Sequence, residues 1–193
     1  MKPGSVGDVM VELAGEILVL TGPPGAGKTT TADALARMAG SPKVHLHADD
    51  FWHVIKHGGV APYLPEAHQQ NGVVAGILAR AAEGYATGGY FVVVDGIIGP
   101  WFLGPFRALG VPLHYIVLRP LLDVAVRRCR ERGGDTLTAS GPIAALHRQF
   151  STLGELERHV LRTEGFGPEE TLRETIKAVC GGTFRLLSGV GGG

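Results

Sequence analysis

The sequence predicts an α/β protein in three layers, a parallel β-sheet with helices on both faces. Short β-rich runs alternate with longer segments of helical period, and a turn packed with glycine and proline joins the first run to the first helix. No internal repeat or linker divides the chain. The strand candidates, in order, are Glu16 to Leu20, Lys43 to His47, Tyr90 to Val94, Leu113 to Leu118 and His159 to Arg162.

The helices between them are read from their apolar spacing. A first helix is expected from about Lys28. In Pro65 to Tyr85, the three- and four-residue steps through Val74, Ile77, Leu78, Ala81 and Tyr85 predict one stripe facing the sheet. The same period recurs at Leu122, Ala125, Val126 and Cys129, and at Ile143, Leu146, Phe150 and Leu153. The last helix is announced by Gly167, by Pro168 at its first position and by Glu169 and Glu170 beside the positive end of its dipole, and it is expected to reach about Val179.

With 193 residues, 45% of them hydrophobic, the chain can bury the core of one domain. That domain is read over residues 1–187, with a flexible leader over 1–14 and a glycine-rich tail over 188–193. Eighteen basic residues balance eighteen acidic ones, so net charge calls for neither nucleic acid nor an anionic membrane as the main partner. The amino terminus lacks the apolar run of a secretory signal, and no stretch reaches the roughly 18 apolar residues of a membrane span. The expectation is a soluble, cytoplasmic protein. Cys129 and Cys180 fall at apolar helix positions, the usual place of reduced, buried thiols.

Gly22-Pro-Pro-Gly25-Ala26-Gly27-Lys28-Thr29 satisfies GxxxxGK[ST] between a strand and a helix, the context that makes this motif a phosphate-binding loop. Its glycines let successive N–H groups turn inward toward phosphate oxygens, and the following helix adds its positive end. Lys28 is placed to reach the β- and γ-phosphates, Thr29 to ligate Mg²⁺ and Thr30 to contact the α-phosphate. A GTPase would also need NKxD, and the only asparagine, Asn71, is followed by Gly-Val-Val. ATP is therefore the default donor, with GTP the alternative.

Two further segments end strands with carboxylates. His47-Ala-Asp49-Asp50-Phe51-Trp52 closes the second strand, and ligands of open α/β sheets sit at the carboxyl ends of strands. Asp49 and Asp50 are candidates to orient an acceptor hydroxyl, to hold Mg²⁺ through water or to cap a helix starting near Phe51. Tyr90-Phe-Val-Val-Val-Asp95-Gly96 delivers Asp95 to the metal's water shell or to the acceptor, with Gly96 allowing close approach to the backbone. Phe51, Trp52, Tyr63 and the apolar run Ile97 to Phe102 are candidates for the wall of an acceptor pocket, or for ordinary core. His45 and His47 share a strand face, and His53 and His57 lie four apart, but no cysteine or fourth-ligand spacing completes a zinc set. Together with His68, Lys56, Gln69 and Gln70, these histidines are read as groups that bond a polar acceptor or face solvent.

Arg128 and Arg132 are four apart and share a helix face, so both can meet one set of phosphate oxygens, while Arg127 and Arg130 point elsewhere. The helix runs into the glycine-rich break Arg132 to Gly141, giving a mobile lid over about 128–141.

These motifs resemble the P-loop small-molecule kinases, the group containing chloramphenicol phosphotransferase, shikimate and gluconate kinases, and uridine kinase. The resemblance implies a nucleoside-kinase-like sheet of order 2-3-1-4-5. It makes Asp49 the acceptor of the substrate hydroxyl's proton, Arg128 and Arg132 the lid arginines and Thr163 to Gly167 an adenine cradle. The implied activity is transfer of the γ-phosphate of Mg·ATP to a hydroxyl of a small polar molecule. A nucleotide or nucleic-acid-end kinase and a non-catalytic ATP-binding regulator are the alternatives.

Overall fold

The computed structural model describes residues 11–133 and 139–186. The expected leader lies mostly outside these residues, as do the glycine-rich tail and the middle of the lid. Five parallel strands run β2-β3-β1-β4-β5, the order the resemblance implied. They are β1 (Ile17–Thr21), β2 (Lys43–His47), β3 (Phe91–Asp95), β4 (Leu113–Arg119) and β5 (Val160–Arg162). A sixth strand that the sequence reading did not foresee, β6 (Arg185–Leu186), pairs antiparallel with the start of β4. At two residues it is too short to show a period.

Alternation along the central strands builds two cores. Ile17 and Val19 of β1 face one side, with Val92, Val94, Tyr115 and Val117. Leu18 and Leu20 face the other, with Phe91, Val93, Ile116 and Leu118. The second side is covered by α1 (Lys28–Ala36) through Ala32 and Leu35, and by α7 (Pro168–Cys180) through Ile176 and Val179. The first is covered by α3 (His68–Thr87) and by Phe106 of α4 (Gly104–Arg107). The remaining helices are α2 (Ala48–His53), α5 (Leu122–Arg132) and α6 (Ser140–Gln149). No helix among the described residues is long and apolar enough to cross a membrane.

Three expectations need correction. The inward stripe of α3 is rotated by about one residue, leaving Ile77 and Tyr85 each 45% exposed while Ala75, Ala79, Ala82 and Ala86 are buried. Small residues let the helix lie close to the sheet, and a stripe chosen by bulk alone misses them. Cys180 is exposed, because α7 ends there and the chain turns away through Gly181 and Gly182. The strands at 16–20 and 90–94 each begin and end one residue later than expected. This shift makes Asp95 the last residue of β3, in register with His47 and Leu20.

Candidate functional site

The carboxyl ends of β1, β2 and β3 converge on the glycine-rich loop. Gly22 and Gly25 have φ of +141° and +75°, backbone conformations that favour glycine. A Cβ on Gly22 would overlap the Leu118 carbonyl, and one on Gly25 the Ala125 carbonyl, so the loop is seated against β4 and α5 by its missing side chains. Ala26 is buried and Gly27 stands at the N-terminus of α1, where no side chain caps the first helical N–H groups. Those amides are the free donors an anion needs. The Lys28 ammonium donates to the Pro23 carbonyl at 3.0 Å, folded back over the loop. Burial lowers its pKa below the usual lysine value, and the charges of Asp95 and Asp49 oppose that shift. Thr30 is exposed at the helix start.

Asp95 joins this loop to the neighbouring strands. Thr29 Oγ1 donates to its Oδ2 at 2.6 Å, while His45 Nε2 and His47 Nδ1 lie 2.7 and 2.9 Å from its Oδ1. The carboxyl is fully buried. Burial alone would raise its pKa, but the bonds from His45, His47 and Thr29 outweigh that effect and hold it well below the usual carboxylate range. The hydrogen bond to Asp95 raises the His47 pKa despite partial burial, with help from the charges of Asp95, Asp49 and Asp50. His45 and His47 are therefore both tied to Asp95. The i, i+2 spacing showed that they share a face, but the partner on that face becomes visible only with the β2–β3 register.

Asp49 and Asp50 occupy the first turn of α2, both exposed, and Asp49 Oδ2 lies 3.6 Å from His47 Nε2. The room left by the absent Gly96 side chain is filled by Ala48 Cβ, so this glycine serves the packing of α2 on β3. Trp52 donates from Nε1 to Asn71 Oδ1 at 2.7 Å and packs on the core, and Asn71 donates in turn to the Pro62 carbonyl. Gln70 bonds both backbone groups of Val60. The segment after α2 is thus strapped to α3 by two amide side chains, one of which the sequence reading had offered to the acceptor. Of the apolar run, Ile98 is buried while Trp101 is 38% exposed; Phe102 stacks on His68 with ring centres 5.6 Å apart, and Tyr63 is 60% exposed.

On α5, Arg127 and Arg130 are exposed, as is Arg132, whereas Arg128 is half-buried and donates to the Phe166 carbonyl at 3.2 Å. That bond ties the helix to the 163–167 segment. Residues 134–138 of the expected lid lie outside the described residues.

The Thr29 hydroxyl and Asp95 carboxylate supply hard oxygen donors, one of them held ionised, which is the donor chemistry Mg²⁺ prefers. Among the described residues no cluster of three or more His, Cys, Asp or Glu side chains is arranged to hold a metal ion by itself. A metal here would share its ligands with phosphates and water.

A glycine-rich phosphate loop between β1 and α1, facing a carboxylate at the end of β3, defines a P-loop nucleotide-binding domain. A family model described as "AAA domain" matches residues 18–139, and the chain belongs to that family. No curated protein matches it. Among solved structures, thymidylate kinase from Candida albicans is similar with a TM-score of 0.65 at 15% identity, over 90% of this chain and 96% of that one. A tunicamycin resistance protein from Deinococcus radiodurans gives 0.62 at 20% identity, over 86% and 95%. Shikimate kinase from Acinetobacter baumannii gives 0.58 at 19%, over 86% and 93%. The chain spans 48% of the length of a chain from the Pnkp1/Rnl/Hen1 RNA repair complex that it also resembles. At these identities the likeness is one of fold, and the fold is that of P-loop kinases.

Proposed function

We propose that the protein transfers the γ-phosphate of Mg·ATP to a hydroxyl of a small polar molecule. The observation that carries this reading is the junction of Thr29 and Asp95 at 2.6 Å, which sets a phosphate loop and a buried carboxylate around one point at the carboxyl edge of the sheet. The loop amides and Lys28 bind and orient the phosphates, Lys28 leaving the Pro23 carbonyl to do so. Mg²⁺, when bound, neutralises charge on the phosphate oxygens, and Thr29 and Asp95 are the residues that would hold it, directly or through water. Asp49, open to solvent on the first turn of α2, orients the acceptor hydroxyl and receives its proton. Arg128 and Arg132 of α5 neutralise charge on the transferred phosphoryl group.

Support for a small polar acceptor comes from the balanced charge of the chain and from fold neighbours that include shikimate kinase and a tunicamycin resistance protein. A nucleotide acceptor is the second reading, favoured by the likeness to thymidylate kinase. One screen separates them: ADP release and ³¹P NMR with Mg·ATP against alcohols, sugars, antibiotics, nucleosides and nucleotides. Stimulation by a non-nucleotide alcohol supports the first reading, and stimulation by nucleoside monophosphates alone replaces it with the second. Release that no acceptor stimulates sinks both.

A further inference from the structure

One imidazole stands between the two acids of the site. His47 Nδ1 is 2.9 Å from Asp95 Oδ1, and its Nε2 is 3.6 Å from Asp49 Oδ2. We propose that His47 is a positioning residue that couples the carboxylate locked to the phosphate loop, Asp95, to the carboxylate that receives the acceptor hydroxyl, Asp49. This inference rests on the phosphotransferase reading above.

The three groups form a series from interior to solvent, with side-chain exposures of 0% for Asp95, 32% for His47 and 62% for Asp49. Thr29 and two histidines hold both oxygens of Asp95. Through Nδ1 it fixes the ring plane of His47, and the imidazolium form, with an N–H on both nitrogens, donates to Asp95 and faces Asp49 with its second N–H. The ring, half enclosed at the end of β2, then presents Nε2 to Asp49 two residues on. An aspartate this exposed has several rotamers open to it, and transfer requires the one that meets the hydroxyl. With the imidazole protonated, the 3.6 Å separation is an ion-pair contact, and it shortens to a hydrogen bond when a bound acceptor draws the two groups together. His45 is the internal control. It bonds the same Asp95 oxygen at 2.7 Å, without the second contact to Asp49.

The first test needs no acceptor. In long-range ¹H–¹⁵N spectra of the imidazoles in nucleotide-free protein, Asp49→Ala is expected to shift the His47 Nε2 resonance and leave Nδ1 and the His45 ring in place. The exposure of Asp49 makes this variant safe for folding. An unmoved Nε2 overturns the proposal. The second test is kinetic. His47→Asn keeps a donor near the Nδ1 position and loses Nε2, whereas His47→Gln keeps a donor near Nε2. With an acceptor in hand, His47→Asn is expected to lower kcat about tenfold at unchanged Mg·ATP affinity, with His47→Gln recovering part of the loss. Asp49→Asn added to His47→Asn is expected to cost less than it does alone, while added to His45→Asn it costs its full amount. A His47→Asn variant that loses thermal stability but keeps kcat per folded molecule assigns the residue to structure and overturns the proposal. A chain that turns over no acceptor defeats the phosphotransferase reading instead, and the spectra distinguish that failure from a failure of the coupling.

Discussion

At the carboxyl end of the sheet Asp95 accepts from Thr29, His45 and His47; at the amino end Glu16 pairs with His114 at 2.6 Å and with Arg185 at 3.4 Å. Both clusters set a carboxylate against histidine across neighbouring strands. They differ in what they connect. The Glu16 cluster joins the start of β1 to β4 and β6, around a His114 that is 2% exposed, and it ties down the edge of the fold. The Asp95 cluster joins β3 and β2 to the first turn of α1, where uncapped helix amides stand beside a glycine loop and Lys28 folds back over it. A buried acid–histidine pair is therefore no functional signal by itself; its attachment to the phosphate loop is.

Replacing each acid by alanine sharpens this contrast most. Asp95→Ala is expected to lower turnover by at least about 10²-fold, the scale for losing a preorganised charge-stabilising group. Glu16→Ala is expected to leave turnover per folded molecule unchanged. Both variants should lose roughly 1–3 kcal/mol of stability, because each leaves polar partners unpaired. Melting temperature then fails to separate the two ends and kinetics does. Equal losses of turnover at both ends would remove the distinction.

A smaller effect comes from pH. Asp95 has a depressed folded pKa, so its contribution to stability is present above the unfolded value of about 3.9 and is lost as pH falls through the folded value. His47 has a raised one, so its contribution is full below about 6.5 and is lost as pH rises through the folded value. The cluster therefore stabilises most between about pH 4 and 6.5 in metal-free protein. Urea midpoints measured against pH should fall above this window, and His47→Gln should flatten that fall. An alkaline limb identical in both proteins contradicts the assignment. The smallest effect is expected at the end of α1, where Asp33 of the helix and Arg37 just past it pair at 2.9 Å with side chains 51% and 77% exposed. Asp33→Ala should change neither melting temperature nor turnover measurably.

The strands, the phosphate loop and the carboxylates near strand ends were legible because each rests on local chemistry: alternation along a strand, glycine in a turn, an acid at a strand end; the sheet order came from the family resemblance. What stayed hidden depends on register and on close approach. Nothing in Lys43-Val-His-Leu-His shows that both histidines meet Asp95, because that contact spans about fifty residues and follows from pairing His47 with the last residue of β3. Gln70 read as a group for the acceptor or for solvent, and Asn71 only as an asparagine outside any NKxD, although their amides hold Trp52, Pro62 and Val60. Gly96 read as room for a ligand because the neighbour that fills that room, Ala48, belongs to another strand's end. The alanine face of α3 was missed for the same reason: small residues announce contact only when the surface they touch is known.

The central claim is that the amides of residues 22–29 grip a nucleotide triphosphate. Calorimetric titration of Mg·ATP into the intact chain, beside the Lys28→Ala variant, tests it most directly. Saturable binding is expected for the wild-type chain and a large loss of affinity for the variant, with thermal stability retained. Heat indistinguishable from buffer in the wild type, or equal affinity in both proteins, would contradict it.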